Sequence, residues 1–118
     1  MYGKALLALA PLALLALGAT APAPAPVAGT STNIADACGP DRGSEDWSRP
    51  APPAHIHGNS WYVGTCGITV VLVRTSAGLV LIDTGPEDAA PHLLANIKTL
   101  GFDPRQVKWL LMTHEHFD

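Results

Sequence analysis

The sequence predicts a mixed α/β fold in which a hairpin of apolar strands is followed by a helix and a further strand. Residues 68–73 are apolar and mostly β-branched, which is typical of a strand covered on both faces. Residues 75–78 supply a short turn, and the apolar run 79–82 is expected to return beside the first strand as its antiparallel partner. The turn-forming residues 83–86 then end this second strand.

An amphipathic helix is predicted over residues 89–100, because apolar side chains recur there at helical spacing. Asp88 is the expected N-cap, and Gly101 stands just past the helix C-terminus. A further apolar strand over residues 107–113 completes a strand, helix, strand unit and delivers residues 114–118 from its end. Functional sites of α/β sheets form at such strand ends.

Length and composition limit what the chain can be. Its 118 residues are 47% hydrophobic and 14% charged, so they form one modest domain or part of one, and not a disordered polyelectrolyte. The formal net charge is −3, and the sequence has no basic stripe. Nucleic acid and anionic lipid are therefore not predicted partners.

The first 21 residues have the order of a secretory signal peptide. Lys4 precedes a nearly uncharged Ala/Leu run over residues 5–19, and Ala19-Thr20-Ala21 has the form of a cleavage site. A membrane-spanning helix is the alternative, but a run of about 15 residues interrupted by Pro11 is shorter than a bilayer requires. We expect a secreted, periplasmic protein without a membrane anchor in its mature form. Residues 22–37, which begin with alternating Ala and Pro, are predicted to be a flexible linker.

The chain has two cysteines, Cys38 and Cys66. In an exported protein such a pair is more typical of a disulfide than of a metal site, and two buried free thiols are the alternative. Around them, residues 36–53 mix charges, Gly and Pro, and we expect Trp47 to anchor this loop-rich segment onto the body of the domain.

The chemistry is predicted to lie in the last residues of the chain. His114, His116 and Asp118 place two imidazoles and a carboxylate on a short loop after a buried strand, and both groups are good zinc ligands. A loop matters, because a continuing strand would hold these side chains about 7 Å apart in a row. Taken alone the pattern is also compatible with an ordinary surface loop.

The context of this loop resembles the metallo-β-lactamase superfamily. In that family a Leu-Ile-Asp-Thr-Gly strand end, a helix, Leu-Gly-Phe and a Thr/Ser-His-x-His-x-Asp-His loop follow one another, and residues 81–85, 100–102 and 113–118 match this order. The third subclass of zinc β-lactamases is the most similar, since the Gly-Asn-Ser-Trp-Tyr-Val-Gly segment at 58–64 also looks like its N-terminal half. The resemblance runs almost continuously from Cys38 to Asp118.

The resemblance implies an αββα sandwich, of which residues 38–118 would form a truncated N-terminal half. It implies one or two zinc ions, with His114 and His116 on the first ion and Asp118 on the second. Asp118 would also act in catalysis by positioning the attacking water. Asp83 would support the metal loop by hydrogen bonds without being a ligand, although it could also serve only as a turn former. Further histidine ligands are expected beyond Asp118.

Other residues receive structural predictions. Cys38 and Cys66 match a disulfide found in some members of the third subclass. His55 and His57 form a second His-x-His but are not expected to bind metal, because the family carries an apolar or aromatic residue at the position of His57. His92 is expected to be solvated on its helix. Trp61 and Tyr62 could line the approach to the site, but core packing of at least one is favoured.

The function implied is zinc-dependent hydrolysis of the β-lactam amide by the complete protein, with a β-lactam as the small-molecule substrate. The 118-residue chain by itself is expected to be inactive, because it lacks the third histidine of the first zinc site. Two alternatives remain at this point: another hydrolase of the superfamily, such as a lactonase or thioester hydrolase, and a secreted module without catalytic activity.

Overall fold

The computed structural model describes residues 33–41 and 46–116. The predicted signal peptide, most of the predicted linker, and Asp118 lie outside these described residues. The helices are α1 Ile34–Cys38 and α2 Ala90–Thr99, and the strands are β1 Ala54–His57, β2 Ser60–Tyr62, β3 Val71–Thr75, β4 Gly78–Ile82 and β5 Val107–Leu111.

The five strands form one sheet in chain order, β1-β2-β3-β4-β5. The first three pairings are antiparallel, while β4 and β5 are parallel and are joined through α2. The predicted hairpin and the predicted strand, helix, strand unit are therefore confirmed. In the part of the chain that is described, no helix is both long enough and apolar enough to traverse a bilayer.

Helix α2 packs against one face of the sheet and closes the main core. The buried members of this core come from β2 to β4, from α2 and from the turn after it. They are Trp61, Val63, Val70, Leu72, Leu79, Leu81, Leu93, Ile97, Leu100 and Phe102. Trp61 is 3% exposed and its ring meets Phe102 edge-on at 4.9 Å between centroids, so the prediction that Trp61 or Tyr62 packs in the core is confirmed.

The opposite face of the sheet differs from the prediction. The run at 68–73 was expected to be covered on both sides, but Leu72 is fully buried while its neighbours Val71 and Val73 are only half-buried. The prediction of two-sided burial is wrong for the described residues, because the main core that contains α2 covers the face that carries Leu72, while the side chains of Val71 and Val73 lie outside that core. Strand β5 is exposed on both faces, because its consecutive residues Trp109 and Leu110 are 45% and 53% exposed.

The ends of α2 confirm one prediction and correct another. Residues Glu87–Ala89 form a 3-10 turn, so Asp88 is not the N-cap; the α-helix begins at Ala90 without a side-chain cap. At the other end Gly101 adopts φ +82°, and its N–H and that of Phe102 bond to the carbonyls of Lys98 and Ile97. This is the Schellman arrangement, in which glycine relieves the strain of a left-handed residue.

The N-terminal segment is fastened to the sheet by covalent and polar contacts. Cys38 and Cys66 form a disulfide, which confirms that prediction, and both cysteines are buried. The Thr65 hydroxyl donates to the Trp47 carbonyl. Trp47 is itself 45% exposed, so buried Cys38 anchors the segment better than the tryptophan named from the sequence. The last residues of the predicted linker, 34–37, belong to helix α1.

Candidate metal centre

The parallel pairing of β4 with β5 brings two loops to one edge of the sheet. Ile82 lies opposite Leu111 at the ends of these strands. Asp83 follows the first strand directly, and its N–H donates to the Leu111 carbonyl at 2.8 Å. The loop containing His114 follows the second strand. This edge is the carboxyl end of both strands, where side chains from two loops can converge.

The side chain of Asp83 holds the neighbouring loop at two points. Its Oδ1 accepts from the Thr113 N–H at 2.8 Å, and its Oδ2 accepts from the Thr113 hydroxyl at 2.9 Å. Asp83 also has φ +61°, the one positive value among the described non-glycine residues. Such a backbone costs about 1–2 kcal/mol, so the two hydrogen bonds and the strand pairing together maintain a strained position.

The two histidines of the motif lie next to each other on this loop. The ring centroids of His114 and His116 are 4.6 Å apart, and the rings meet edge to face at 81°. Both residues are exposed, as is Glu115 between them, to which the sequence assigns no role. The Nδ1 of His114 lies 2.9 Å from the Thr113 hydroxyl oxygen.

These residues suit zinc by the chemistry of their donor atoms. Neutral imidazole nitrogen is a preferred zinc ligand, and two such rings stand side by side within reach of solvent. Asp118, the predicted ligand of a second ion, lies outside the described residues. Within residues 33–41 and 46–116, no three His, Cys, Asp or Glu side chains come together as a complete metal site. The ligand assignments thus stay predictions.

The second His-x-His lies on β1, whereas the loop with His114 and His116 follows β5. His55 and His57 lie on β1, at the opposite edge of the five-stranded sheet from β5. The His55 Nε2 contacts the Gly58 carbonyl at 2.9 Å, and its ring packs near Trp61 at 5.7 Å. This placement agrees with a structural role for His55.

His92 departs from its predicted role. It is half-buried on α2, and its Nε2 lies 2.7 Å from the Ala51 carbonyl oxygen and 3.1 Å from the Ala51 nitrogen. The prediction of a solvated side chain is therefore wrong, because the N-terminal segment crosses this part of the helix. Helical spacing alone could not reveal a contact between residues 41 positions apart.

Thr113 is the residue at this edge to which the sequence assigned no individual role. It belongs to the motif that ends β5, and the structure places its hydroxyl between Asp83 and His114. The available signal was its position directly before the first histidine.

Comparisons with known proteins agree with this architecture. Residues 63–118 match the family model of the metallo-beta-lactamase superfamily. The chain is 62% identical to the metallo-β-lactamase MIM-1 from Novosphingobium pentaromativorans, with a TM-score of 0.69 over 74% of this chain and 32% of that one.

Two further solved structures carry a subclass description. BJP-1, a subclass B3 metallo-β-lactamase of Bradyrhizobium japonicum, is 38% identical with a TM-score of 0.61, over 64% of this chain and 29% of that one. LRA-12, a class B3 di-zinc metallo-β-lactamase from an Alaskan soil metagenome, is 39% identical with a TM-score of 0.61, over 63% of this chain and 28% of that one. The chain thus spans less than a third of the length of each of these relatives.

Proposed function

We propose that this chain belongs to the metallo-beta-lactamase superfamily, whose family model residues 63–118 match, and that the complete protein is a zinc-dependent β-lactamase. The observation that carries the proposal is the pair of adjacent imidazoles, His114 and His116, on a loop that Asp83 holds at the end of β5. The similarity to subclass B3 enzymes supports the same substrate class.

The residues of this chain would have different roles in the reaction. His114 and His116 would hold the first zinc, together with a third histidine supplied by the rest of the protein, and Asp118 would hold a second. Bound zinc would polarise the amide carbonyl and make a water nucleophilic at neutral pH. Asp83 contributes by fixing the backbone of the loop through Thr113, so that both imidazoles keep their positions while substrate enters.

We also propose that the protein is exported to the periplasm. The support is the order of Lys4, an apolar run and small residues at the N-terminus, together with the Cys38–Cys66 disulfide, which suits an oxidising compartment. The 118-residue chain alone is proposed to be inactive, since its loop offers two histidines to a zinc that normally needs three protein ligands.

Two substitutions in the complete protein, together with one control, test the metal assignment. His116→Ala is expected to remove most zinc from the first site and nearly all β-lactam hydrolysis, because the remaining ligands bind zinc weakly. Asp118→Ala is expected to lower activity more than zinc content, because it acts through the second ion and the position of the attacking water. The measurements are zinc per protein by elemental analysis and β-lactam turnover.

His57→Ala is the matched control, since it removes an exposed histidine of the other His-x-His on β1. It should leave zinc content and turnover unchanged. Loss of zinc in this control with retention in His116→Ala would place the metal elsewhere and refute the assignment. Normal zinc content in the wild-type protein with hydrolysis of lactones or thioesters but no β-lactam would identify another hydrolase of the superfamily.

A further inference from the structure

The Thr113 hydroxyl occupies a position in which the direction of two hydrogen bonds can be deduced. It lies 2.9 Å from the Asp83 Oδ2 and 2.9 Å from the His114 Nδ1. A hydroxyl has one proton to donate, and an ionised carboxylate can only accept. The proton of Thr113 therefore points to Asp83, and its oxygen is left to accept from the His114 ring.

This direction determines which nitrogen of His114 carries the proton. If the Thr113 oxygen accepts from Nδ1, then Nδ1 is protonated in the neutral ring and Nε2 holds the lone pair. We propose that Thr113 is a positioning residue. Its hydroxyl acts as a hydrogen-bond relay between Asp83 and His114, and it fixes the tautomer whose Nε2 can bind a metal. The metal part of this inference rests on the proposed function, whereas the tautomer itself does not.

The carboxylate is held so that the relay has one orientation. Its Oδ1 is engaged by the Thr113 backbone N–H, which leaves Oδ2 for the hydroxyl. The Asp83 backbone is in turn bonded to the Leu111 carbonyl at the strand end. The side-chain atom that faces the Thr113 backbone N–H must be an oxygen, because only an oxygen can accept from it. Whether the other terminal atom of residue 83 is an oxygen or an amide nitrogen then decides the direction of the hydrogen bonds through the Thr113 hydroxyl to His114.

Asp83→Asn reverses that direction and so gives a specific test. The amide oxygen would remain on the Thr113 N–H, and the amide NH2 would face the Thr113 hydroxyl and donate to it. The hydroxyl would then donate to the His114 Nδ1 and favour the opposite tautomer, with the proton on Nε2. A role of Asp83 limited to loop structure predicts no such exchange.

The experiment measures the tautomer of His114 in the zinc-free complete protein by ¹⁵N NMR at alkaline pH. The wild-type protein and Thr113→Ser, which keeps the hydroxyl, should have the proton mainly on Nδ1. Asp83→Asn should have it mainly on Nε2. Thr113→Val, which keeps the shape of threonine without the hydroxyl, should lose the preference for Nδ1.

Zinc affinity, measured by competition with a chelator, provides the second readout. Thr113→Val and Asp83→Asn should each weaken zinc binding by about 10–100-fold, the usual effect of removing a group that orients a metal-binding histidine. Thr113→Ser should bind zinc like the wild type. A loss in Thr113→Val that serine also shows would indicate a packing effect and overturn the proposal.

The inference and the proposed function can fail separately. If the wild-type protein carries the proton of His114 on Nε2, the relay is wrong, whatever the protein hydrolyses. If the tautomers follow the expected order but the wild-type protein neither binds zinc nor opens β-lactams, the relay stands and the proposed function fails.

Discussion

Asn96 connects three separate segments through one amide. The residue is 5% exposed on α2, and its Nδ2 lies 3.0 Å from the carbonyl oxygens of both Ala51 and Val63 and 3.4 Å from that of Gly64. These acceptors belong to the N-terminal segment and to the turn after β2. A buried asparagine on a helix is unfavourable unless its amide has such partners. The contribution of Asn96 to stability therefore depends on contacts with distant segments, which the local sequence does not display.

We predict that Asn96→Ala destabilises the complete protein by about 2–3 kcal/mol, because buried carbonyl groups lose their donor. The measurement is the free energy of unfolding in urea. Lys98→Ala, an exposed change on the same helix, is the control and should stay within about 0.5 kcal/mol of the wild type. Equal effects of the two substitutions would show that the amide contributes nothing specific.

Tyr62 provides a prediction on alkaline pH. Burial raises the pKa of its hydroxyl above the ordinary value of 10.0. That hydroxyl donates to the Thr65 carbonyl, and the Ile68 carbonyl oxygen lies 3.2 Å away. Because the folded-state pKa is raised, the contribution of Tyr62 to stability is complete below pH 10 and falls as the pH rises towards the folded pKa.

Tyr62→Phe should therefore lower stability at neutral pH by about 1 kcal/mol through the lost hydrogen bond. It should also remove part of the alkaline decline, so that the difference between the two proteins shrinks above pH 10. Unfolding free energies measured across this range check the sign. A difference that grows with pH would contradict the assignment of the raised pKa.

At the scale of elements, the sequence predicted the turns and helix ends that are determined by a few adjacent residues. The turn 75–78 and the helix end at Gly101 depend on a few adjacent residues, and both are confirmed. Strands β1 and β2 were not individually predicted, because three consecutive residues of β1 are exposed and show no alternation of burial. These short strands are stabilised by pairing with a neighbour, which is a tertiary interaction.

The turn after β2 depends on a close approach at Gly64. A Cβ there would lie 2.3 Å from the Ile68 carbonyl oxygen and 2.7 Å from the Val70 nitrogen, and both are backbone atoms. We predict that Gly64→Ala costs about 3 kcal/mol or more, because the turn cannot yield without breaking its hydrogen bonds.

Gly58→Ala is the matched control for this prediction. Gly58 has φ +53° in the turn between β1 and β2, but a Cβ there would meet no atom within 4 Å. Its substitution should cost only the backbone strain of about 1–2 kcal/mol. Thermal or urea unfolding of both variants gives the comparison. A smaller loss at Gly64 than at Gly58 would mean that the turn adjusts easily.

At the scale of the whole molecule, the sequence predicted which loops meet but not how their side chains interact. The strand, helix, strand pattern placed the histidine loop at a strand end, and the family resemblance implied that Asp83 supports this loop. The parallel pairing of β4 with β5 brings the two to one edge. The position of the Thr113 hydroxyl between two partners depends on rotamers and on the twist of the loop. The contact of His92 with Ala51 depends likewise on the path of a distant segment.

The disulfide is the remaining prediction at this scale. Cys38 and Cys66 are separated by 28 positions. Closing a loop of that length stabilises a protein by about 3.5 kcal/mol in the chain-entropy estimate. The double substitution Cys38→Ala/Cys66→Ala should lose about this amount in urea unfolding, while β3, β4 and α2 retain their core.

Reduction provides the control for that experiment. Adding a thiol reductant should destabilise the wild-type protein and leave the double variant unchanged. If the reductant has no effect on the wild type although mass spectrometry shows the bond to be broken, the bridge does not constrain the unfolded chain.

The chain order of the strands has a consequence for folding kinetics. Because β1 to β4 pair with their sequence neighbours, each of these contacts closes only a short loop, and short loops close fastest. We expect strand β5 to pair with β4 only after α2 has formed and docked, because the connection between these two strands contains that helix. Substitutions in β5 should therefore accelerate unfolding with little effect on the folding rate, giving φ-values near zero. The edge that carries His114 and His116 would then be completed late, on a hairpin scaffold that is already in place.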